Sequence, residues 1–120
     1  MVGSTLNTLQ QILKLYVDLK STKDVQQRSL EELTFATSGV LSIFRKDANS
    51  DFVRQATTVR VQDGSFAVGT KLDRTGKAYA ALSKGKKNYT GLVTLFDNQY
   101  YSSYNISKDG KTIRFVAYPA

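Results

Sequence analysis

The sequence predicts an α+β domain in which two N-terminal helices precede an antiparallel sheet. Apolar residues recur with a helical period near 3.6 up to about residue 34, and from residue 38 onward the period shortens toward two. Turn signals divide the second part into five β-rich segments. A chain of 120 residues is long enough for one domain with its own core. We therefore predict one domain over 1–120, with helices in 1–34 and the sheet with its long loop in 35–120.

Both predicted helices are amphipathic. Residues 4–20 carry leucines at heptad spacing, and neighbouring apolar residues widen that face. A face this broad is able to pack on the sheet and on a second helix, from the same chain or from another copy. The second, shorter helix spans about 23–33 and follows a Ser21–Asp24 pair that resembles a capping box.

Five strands are predicted after the helices. Period-two alternation of β-forming residues defines them, and polar or glycine-containing turns separate them. The predicted strands are Val40–Phe44, 51–61, Tyr89–Phe96, Gln99–Ile106 and Thr112–Tyr118. Asp97-Asn98 and Lys108-Asp109-Gly110-Lys111 are the turn signals of the last two hairpins.

A long loop with a short helix separates the second and third strands. Residues 62–74 contain Gly64 and Gly69, which are free to adopt positive φ, and Thr75 is predicted to cap a helix over about 76–84. Helices segregated to the faces of an antiparallel sheet define an α+β domain. The first and last strands are apolar enough for the centre, so we predict the order 2-1-5-4-3 of a PAS-like sheet.

The composition restricts the chemistry that is available. The chain has no histidine and no cysteine, which removes the commonest general base, the commonest metal ligand and the thiolate nucleophile. No pair of carboxylates stands at a spacing that suggests catalysis. We therefore predict a protein that is not an enzyme and that has no metal or cofactor. The net charge of +7 favours an anionic partner.

Residues 51–72 hold the most informative cluster of polar residues. Arg54 and Arg60 lie six residues apart, and an even separation places both on one face of a strand. Spacing alone favours an edge strand with one solvated face. The position of the segment beside loop 62–84 favours instead the wall of a pocket for a small anion.

An ordered series of short matches resembles the single Cache domains. It covers about residues 36–106 and consists of Phe52–Arg60, Asp63-Gly64, Ala67–Thr70, Leu72-Asp73, Ala78–Leu82 and Tyr89–Gly91. These domains are extracytoplasmic sensor modules of bacterial chemoreceptors, sensor histidine kinases and diguanylate cyclases. The chain departs from them at Thr58, where asparagine is usual, and in its last strand, where Val-Ile-Gly is usual.

The resemblance implies a periplasmic sensor domain of an inner-membrane receptor, such as a receptor for chemotaxis. Similar domains bind small organic ligands, often short carboxylates, between the sheet and loop 62–84, and pass the change to membrane helices. The chain then resembles a fragment excised from a membrane-anchored parent. The N-terminal helix is expected to be the surface of a possible homodimer, and no nucleic acid is expected as a partner.

Nine residues are candidates for the ligand site. A carboxylate taken out of water needs a cation and two or three hydrogen bonds, which arginine, lysine and hydroxyl groups supply. The candidates are Arg60, Arg54, Thr58, Thr70, Lys71, Tyr79, Tyr89, Tyr101 and Tyr104. Arg60 is preferred to Arg54 because it lies nearer the loop, and the backbone N–H groups of Gly69-Thr70 are further candidates. Alternation puts Tyr101 on the face opposite Tyr104.

The alternative interpretation is a basic nucleic-acid-binding module. Seven tyrosines and the net charge of +7 fit a sheet on which bases stack. The tyrosines do not alternate with lysine or arginine on one surface, however, and no RNP-type motif is present. The densest cation run, Lys84-Gly85-Lys86-Lys87, is predicted to be a solvated turn. No apolar stretch reaches the roughly 18 residues of a membrane span.

Overall fold

The computed structural model describes residues 2–37 and 39–120, and side chains from residue 5 onward. Met1 and Ser38, which the predicted domain includes, lie outside the described residues. The elements are α1 (Val2–Tyr16), α2 (Lys23–Thr37), β1 (Val40–Lys46), β2 (Phe52–Thr57), α3 (Lys77–Ser83), β3 (Asn88–Leu95), β4 (Asn98–Ile106) and β5 (Thr112–Pro119). No helix in this described part is long and apolar enough to cross a membrane.

The five strands form one antiparallel sheet in the order β2-β1-β5-β4-β3. This confirms the predicted PAS-like α+β fold and the predicted strand order. The two central strands, β1 and β5, are apolar on both faces because both faces are covered. The sheet therefore separates two apolar cores, each on its own side.

One core lies between the sheet and helices α1 and α2. Leucines of both helices pack there against Leu41, Ile43 and Val116. The second core lies on the opposite face, where the loop after β2 and helix α3 cover Phe44, Phe115 and the central strands. This second side is the one on which the sequence predicted a pocket between the sheet and loop 62–84.

Strand β2 is shorter than predicted and contains a bulge. Phe44 pairs with Arg54 and Ile43 pairs with Ala56, so that Gln55 has no partner on β1. Ala56 belongs to the core under the helices, whereas Arg54 lines the opposite side. The prediction of one continuous strand over 51–61 is therefore wrong in its second half, and the even spacing of Arg54 and Arg60 does not place them on one surface.

Three other local predictions need correction. Helix α1 ends at Tyr16, and the following turn is held by Asp18, whose side chain accepts a hydrogen bond from the Lys20 amide. Thr75 does not cap α3: its amide and hydroxyl donate to Asp73, and Gly76 is the N-cap residue.

The third correction concerns the turn between β3 and β4. Phe96 and Asp97, rather than Asp97 and Asn98, have positive φ values of 49° and 71°. Two successive residues with positive φ are what a type I′ hairpin turn requires. Strand β4 therefore begins at Asn98.

Candidate ligand-binding site

A cavity of about 420 Å³ lies between the sheet and the segment that runs from the loop into α3. Its polar lining includes Arg54, Thr70, Lys71, Tyr89 and Tyr104, all of which the sequence predicted as site residues. Its apolar lining includes Leu72, Ala78, Val93, Leu95 and Phe96. Exposed residues among the lining open the cavity to solvent, while Arg54 and Tyr104 lie at its buried end.

Arg54 is fixed by both the sheet and the loop. Its backbone amide donates to the Thr70 carbonyl at 2.8 Å, and its carbonyl accepts from the Gly69 amide at 2.8 Å. Its side-chain Nη1 donates to the Thr70 hydroxyl at 3.0 Å. The guanidinium carbon lies 4.5 Å from the centre of the Phe44 ring, in a cation–π contact. The loop therefore holds the guanidinium at a defined position in the cavity wall.

The charge of Arg54 has no acidic partner among the described residues. The residue is 3% exposed, its Nε has no hydrogen-bond partner, and the ion pairs of the described part of the chain all involve Asp51. Burial lowers the pKa of Arg54 to about 10, and the nearby Tyr104 partly opposes this shift. A buried cation without a counter-ion is costly. An anion in the cavity would offset that cost.

Tyr104 supplies a second unsatisfied polar group. The residue is 1% exposed, and its hydroxyl makes no hydrogen bond of ordinary geometry among the described residues, although the Ser102 hydroxyl, which donates to the Gly91 carbonyl, lies near it. Burial raises the pKa of Tyr104 to about 12, so the hydroxyl keeps its proton at neutral pH. Its ring packs on Phe115, with ring centroids 4.8 Å apart. Tyr104 thus offers a neutral hydrogen-bond donor to an anion that also contacts Arg54.

Lys71 lies at the solvent end of the cavity and already has an anionic partner. Its Nζ is 3.4 Å from Asp51, and Arg74 donates to the other oxygen of the same carboxylate at 2.6 Å. Arg74 also donates to the Asn49 carbonyl. The Lys71 charge is therefore shared, and Asp51 ties the start of β2 to the loop that covers the cavity.

We predict that Asp51→Asn weakens this connection in a pH-dependent way. Arg74 lowers the pKa of Asp51 more than any other group does. A carboxyl whose pKa is lowered in the folded state stabilises the fold above its unfolded pKa of about 4, and this contribution is lost as the pH falls through the folded pKa. Asp51→Asn should therefore melt at a lower temperature than the parent at pH 7. Thermal melts between pH 7 and 3 should show the difference disappearing in acid, and a difference that persists unchanged would contradict the prediction.

Tyr89 lies along the cavity wall above Gly91. The Tyr89 and Tyr104 ring centroids are 6.2 Å apart. A Cβ added at Gly91 would lie 2.7 Å from the Tyr89 hydroxyl and 3.1 Å from its Cζ. The absence of a side chain at residue 91 is therefore what allows the Tyr89 ring to occupy this position.

Gly91→Ala is accordingly expected to change the cavity. The new methyl group must displace the Tyr89 ring, because a heavy-atom distance of 2.7 Å is too short for a van der Waals contact. We expect a different ligand affinity and a small change in stability, because Tyr89 is only half-buried. The double variant with Tyr89→Ala removes the clash and should behave like Tyr89→Ala alone. Titration calorimetry with a short carboxylate, the ligand class expected from the sequence, measures the affinity of these variants and of the parent. Equal affinities of Gly91→Ala and the parent would show that the position of the Tyr89 ring does not matter for binding.

The structure places the other four predicted site residues outside the cavity. Arg60 is exposed, donates to the Gly64 carbonyl at 2.6 Å and stacks on Phe66. The Tyr79 hydroxyl donates to the Ser50 carbonyl at 2.9 Å. As alternation predicts, Tyr101 lies on the opposite face, in the core under the helices.

Thr58 connects the sheet to α2. Its hydroxyl accepts from the Thr34 hydroxyl at 2.8 Å and from the Leu41 amide at 3.0 Å. The amides of Gly69 and Thr70 donate to Arg54 and Ala67, so these two N–H groups are already in use. The geometry reverses the preferred arginine: Arg54, and not Arg60, faces the cavity.

Neither the apolar wall nor the anchoring role of Asp51 was identifiable from the sequence. The wall residues Val93 and Leu95 belong to β3, whose residues alternate between exposed and half-buried. Their period-two pattern predicted a strand but did not show which face meets the loop. The series of motifs did contain Leu72 and Ala78, which was the only available signal for this wall. In the described residues no cluster of acidic or metal-ligating side chains is suited to hold a metal ion.

Comparison with known proteins provides one match. A family model described as the Cache 3/Cache 2 fusion domain matches residues 8–120. No protein in the curated set matches the chain. The matched range covers most of α1, all later elements and every residue that lines the cavity.

Proposed function

The chain belongs to the Cache 3/Cache 2 fusion domain family of sensor domains, and we propose that it is the extracytoplasmic ligand-sensing domain of a bacterial transmembrane receptor. We further propose that its ligand is a short carboxylate, bound in the cavity between the sheet and the loop. Membership of a sensor family supports the first part. The second part rests on the lining of the cavity.

The buried, uncompensated Arg54 is the observation that carries the carboxylate proposal. Its free Nε and the free Tyr104 hydroxyl are both buried beside the same cavity. Two donors, one of them charged, match the two oxygens of a carboxylate. Charge-assisted hydrogen bonds from the guanidinium would give the ligand carboxylate a partner and would pair the free Nε of Arg54.

The buried end of the cavity, where Arg54 and Tyr104 lie, fits one carboxylate, and the adjoining apolar lining fits a short alkyl chain. Asp73 is the acidic residue of the lining, and its carboxylate already accepts from the amide and hydroxyl of Thr75. Asp73 is exposed, so solvent screens its charge and it would attract a ligand ammonium group only weakly. Of the two other cations in the lining, Lys71 is paired with Asp51 and Lys77 is exposed to solvent. Leu72, Ala78 and Val93 would contact a short alkyl chain.

A direct route leads from Arg54 to the helices. The next residue, Gln55, is the bulged residue of β2, and its side chain donates to Gln26 of α2 at 2.7 Å. We propose that a ligand at Arg54 changes the pairing of the loop with β2 and that this change reaches α2 through the bulge. The N-terminal helix is proposed as the dimer surface of such a receptor.

A thermal-shift series tests the proposal. The series compares propionate with propanamide and propylammonium, which have similar shape but zero or opposite charge. The proposal predicts that propionate alone raises the melting temperature, in proportion to the logarithm of its concentration above the dissociation constant. Arg60→Met serves as the matched control variant, since it removes an arginine outside the cavity. Equal responses to all three compounds, or no response to acetate, propionate and butyrate, would contradict the carboxylate proposal.

A further inference from the structure

We propose that a second, basic cleft of this chain binds a linear polymer of phosphate groups. The cleft has a volume of about 1030 Å³. Three segments form it: the connection between α1 and α2, the end of β1 with its neighbour Gln55, and the hairpin between β4 and β5. It lies where β5 begins and therefore at the end of the sheet remote from Pro119. It is separate from the cavity at Arg54 and shares no lining residue with it.

Four cations line this cleft, namely Lys20, Lys23, Arg45 and Lys108. All four are exposed, and none forms an ion pair within the described part of the chain. They come from three separate segments, so the fold and not a single charged run brings them together. Four unpaired positive charges around one concave surface attract anions strongly.

Asp109 is the carboxylate of the lining, and it is already engaged. It accepts from the Ser107 hydroxyl at 2.6 Å and from the Lys111 amide at 3.0 Å. These contacts lower the pKa of Asp109, with a smaller contribution from the nearby Arg45. The carboxylate therefore shapes the hairpin, while the lysines remain free for a ligand.

The arrangement favours a polymer of phosphates over a single small anion. One exposed lysine gains little from one contact in water, but several contacts along a polyanion release condensed counter-ions and add up. A single-stranded nucleic acid is the less suitable polymer, because the cleft lining contains no aromatic residue on which a base would stack. A chain of phosphate groups needs only positive charges for binding, and the four cations of the cleft supply them.

Two triple variants with equal charge test this inference. Lys20→Gln, Lys23→Gln and Lys108→Gln remove three charges from the cleft. Lys84→Gln, Lys86→Gln and Lys87→Gln remove three from the exposed turn after α3, which is the matched control. Binding of fluorescently labelled inorganic polyphosphate is measured by anisotropy at two salt concentrations, together with thermal melts of each variant. The same measurement is made with orthophosphate and with a thymidine oligonucleotide as competitors.

We expect polyphosphate binding to weaken about tenfold or more in the cleft variant, with a shallower salt dependence, and to change little in the control. Arg54→Met should bind polyphosphate like the parent, so that this result is independent of the carboxylate proposal. Equal losses in both triple variants would show attraction by net charge alone and overturn the inference. The inference would also be overturned if orthophosphate competed with polyphosphate at equal phosphate concentration, or if the oligonucleotide bound more tightly than polyphosphate. Absence of any polyphosphate binding would overturn it as well.

Discussion

Arg54→Met is expected to abolish the response to short carboxylates and, at the same time, to make the ligand-free domain more stable. The two effects have one cause, which is a buried guanidinium without an acidic partner. Removing it deletes the charged donor of the ligand site. It also deletes a charge whose burial the fold has to sustain in the absence of ligand.

The size of both effects follows from the chemistry of the site. Loss of a buried charged donor costs about 2–5 kcal/mol of binding, or roughly thirtyfold or more in affinity. The lowering of the Arg54 pKa from 12.5 to about 10 corresponds to a free-energy cost of about 3 kcal/mol for burying the charged guanidinium. Loss of the Thr70 hydrogen bond and of the contact with Phe44 offsets part of it. We expect a net gain in unfolding free energy of about 1–2 kcal/mol.

The gain in stability should depend on pH with a defined sign. A cation whose pKa is lowered on folding destabilises the fold while it is protonated, and this cost is relieved as the pH rises through its folded pKa of about 10. The advantage of Arg54→Met over the parent should therefore shrink above pH 10. Urea unfolding of Arg54→Met and Arg60→Met at pH 7 and 10.5 measures the effect. A clear loss of stability for Arg54→Met at pH 7 would contradict an uncompensated charge.

Gln27→Ala is expected to produce a large loss of stability for the truncation of one half-buried polar side chain on a helix. The Gln27 side chain donates to the Thr57 carbonyl and accepts from the Thr57 amide, each at 2.8 Å. Thr57 ends β2 and is fully buried. Thr57 pairs with Ser42 of β1, but β2 is an edge strand, so the glutamine supplies the partner on its outer side. Truncation leaves the buried amide and carbonyl of Thr57 unpaired. A cost of about 2–3 kcal/mol follows, or roughly 10 °C in melting temperature.

Gln11→Ala provides the matched control for this prediction. It is the same substitution on a helix, but Gln11 is exposed. The unfolding free energy of Gln11→Ala should differ from that of the parent by less than about 0.5 kcal/mol. Equal melting temperatures for Gln27→Ala and Gln11→Ala would show that the link between α2 and β2 contributes nothing.

Most of the fold was predictable because each element carries its own local pattern. The apolar character of Val40–Phe44 and of the last strand indicated central strands, and the resulting order is confirmed. The hairpin at Asp109-Gly110 was recognisable from its turn residues alone. These signals depend on near neighbours in the sequence, which is why they could be read without the structure.

The site was less predictable because its geometry depends on the bulge at Gln55, which no sequence pattern marks. Nothing in the local sequence marks Gln55 as a bulge, and the partner of its side chain, Gln26, lies on α2, far away in the sequence. The bulge shifts the alternation after Arg54 and so invalidates the spacing argument for Arg60. The number of hydroxyl candidates was also too large, because Tyr79 and Thr58 find partners in loop and helix segments far away in sequence.

Titration of the ¹⁵N-labelled domain with propionate, followed by NMR, tests the central claim most directly. The Nε–H of Arg54 reports on the guanidinium itself, and the amides of Thr70, Tyr89 and Tyr104 report on the cavity around it. We expect saturable shifts at these positions, with a downfield shift of the Arg54 Nε proton as it gains a charge-assisted hydrogen bond. Shifts confined to exposed lysines such as Lys84, Lys86 and Lys87, or no saturable shift at Arg54, would show that the carboxylate does not bind at Arg54.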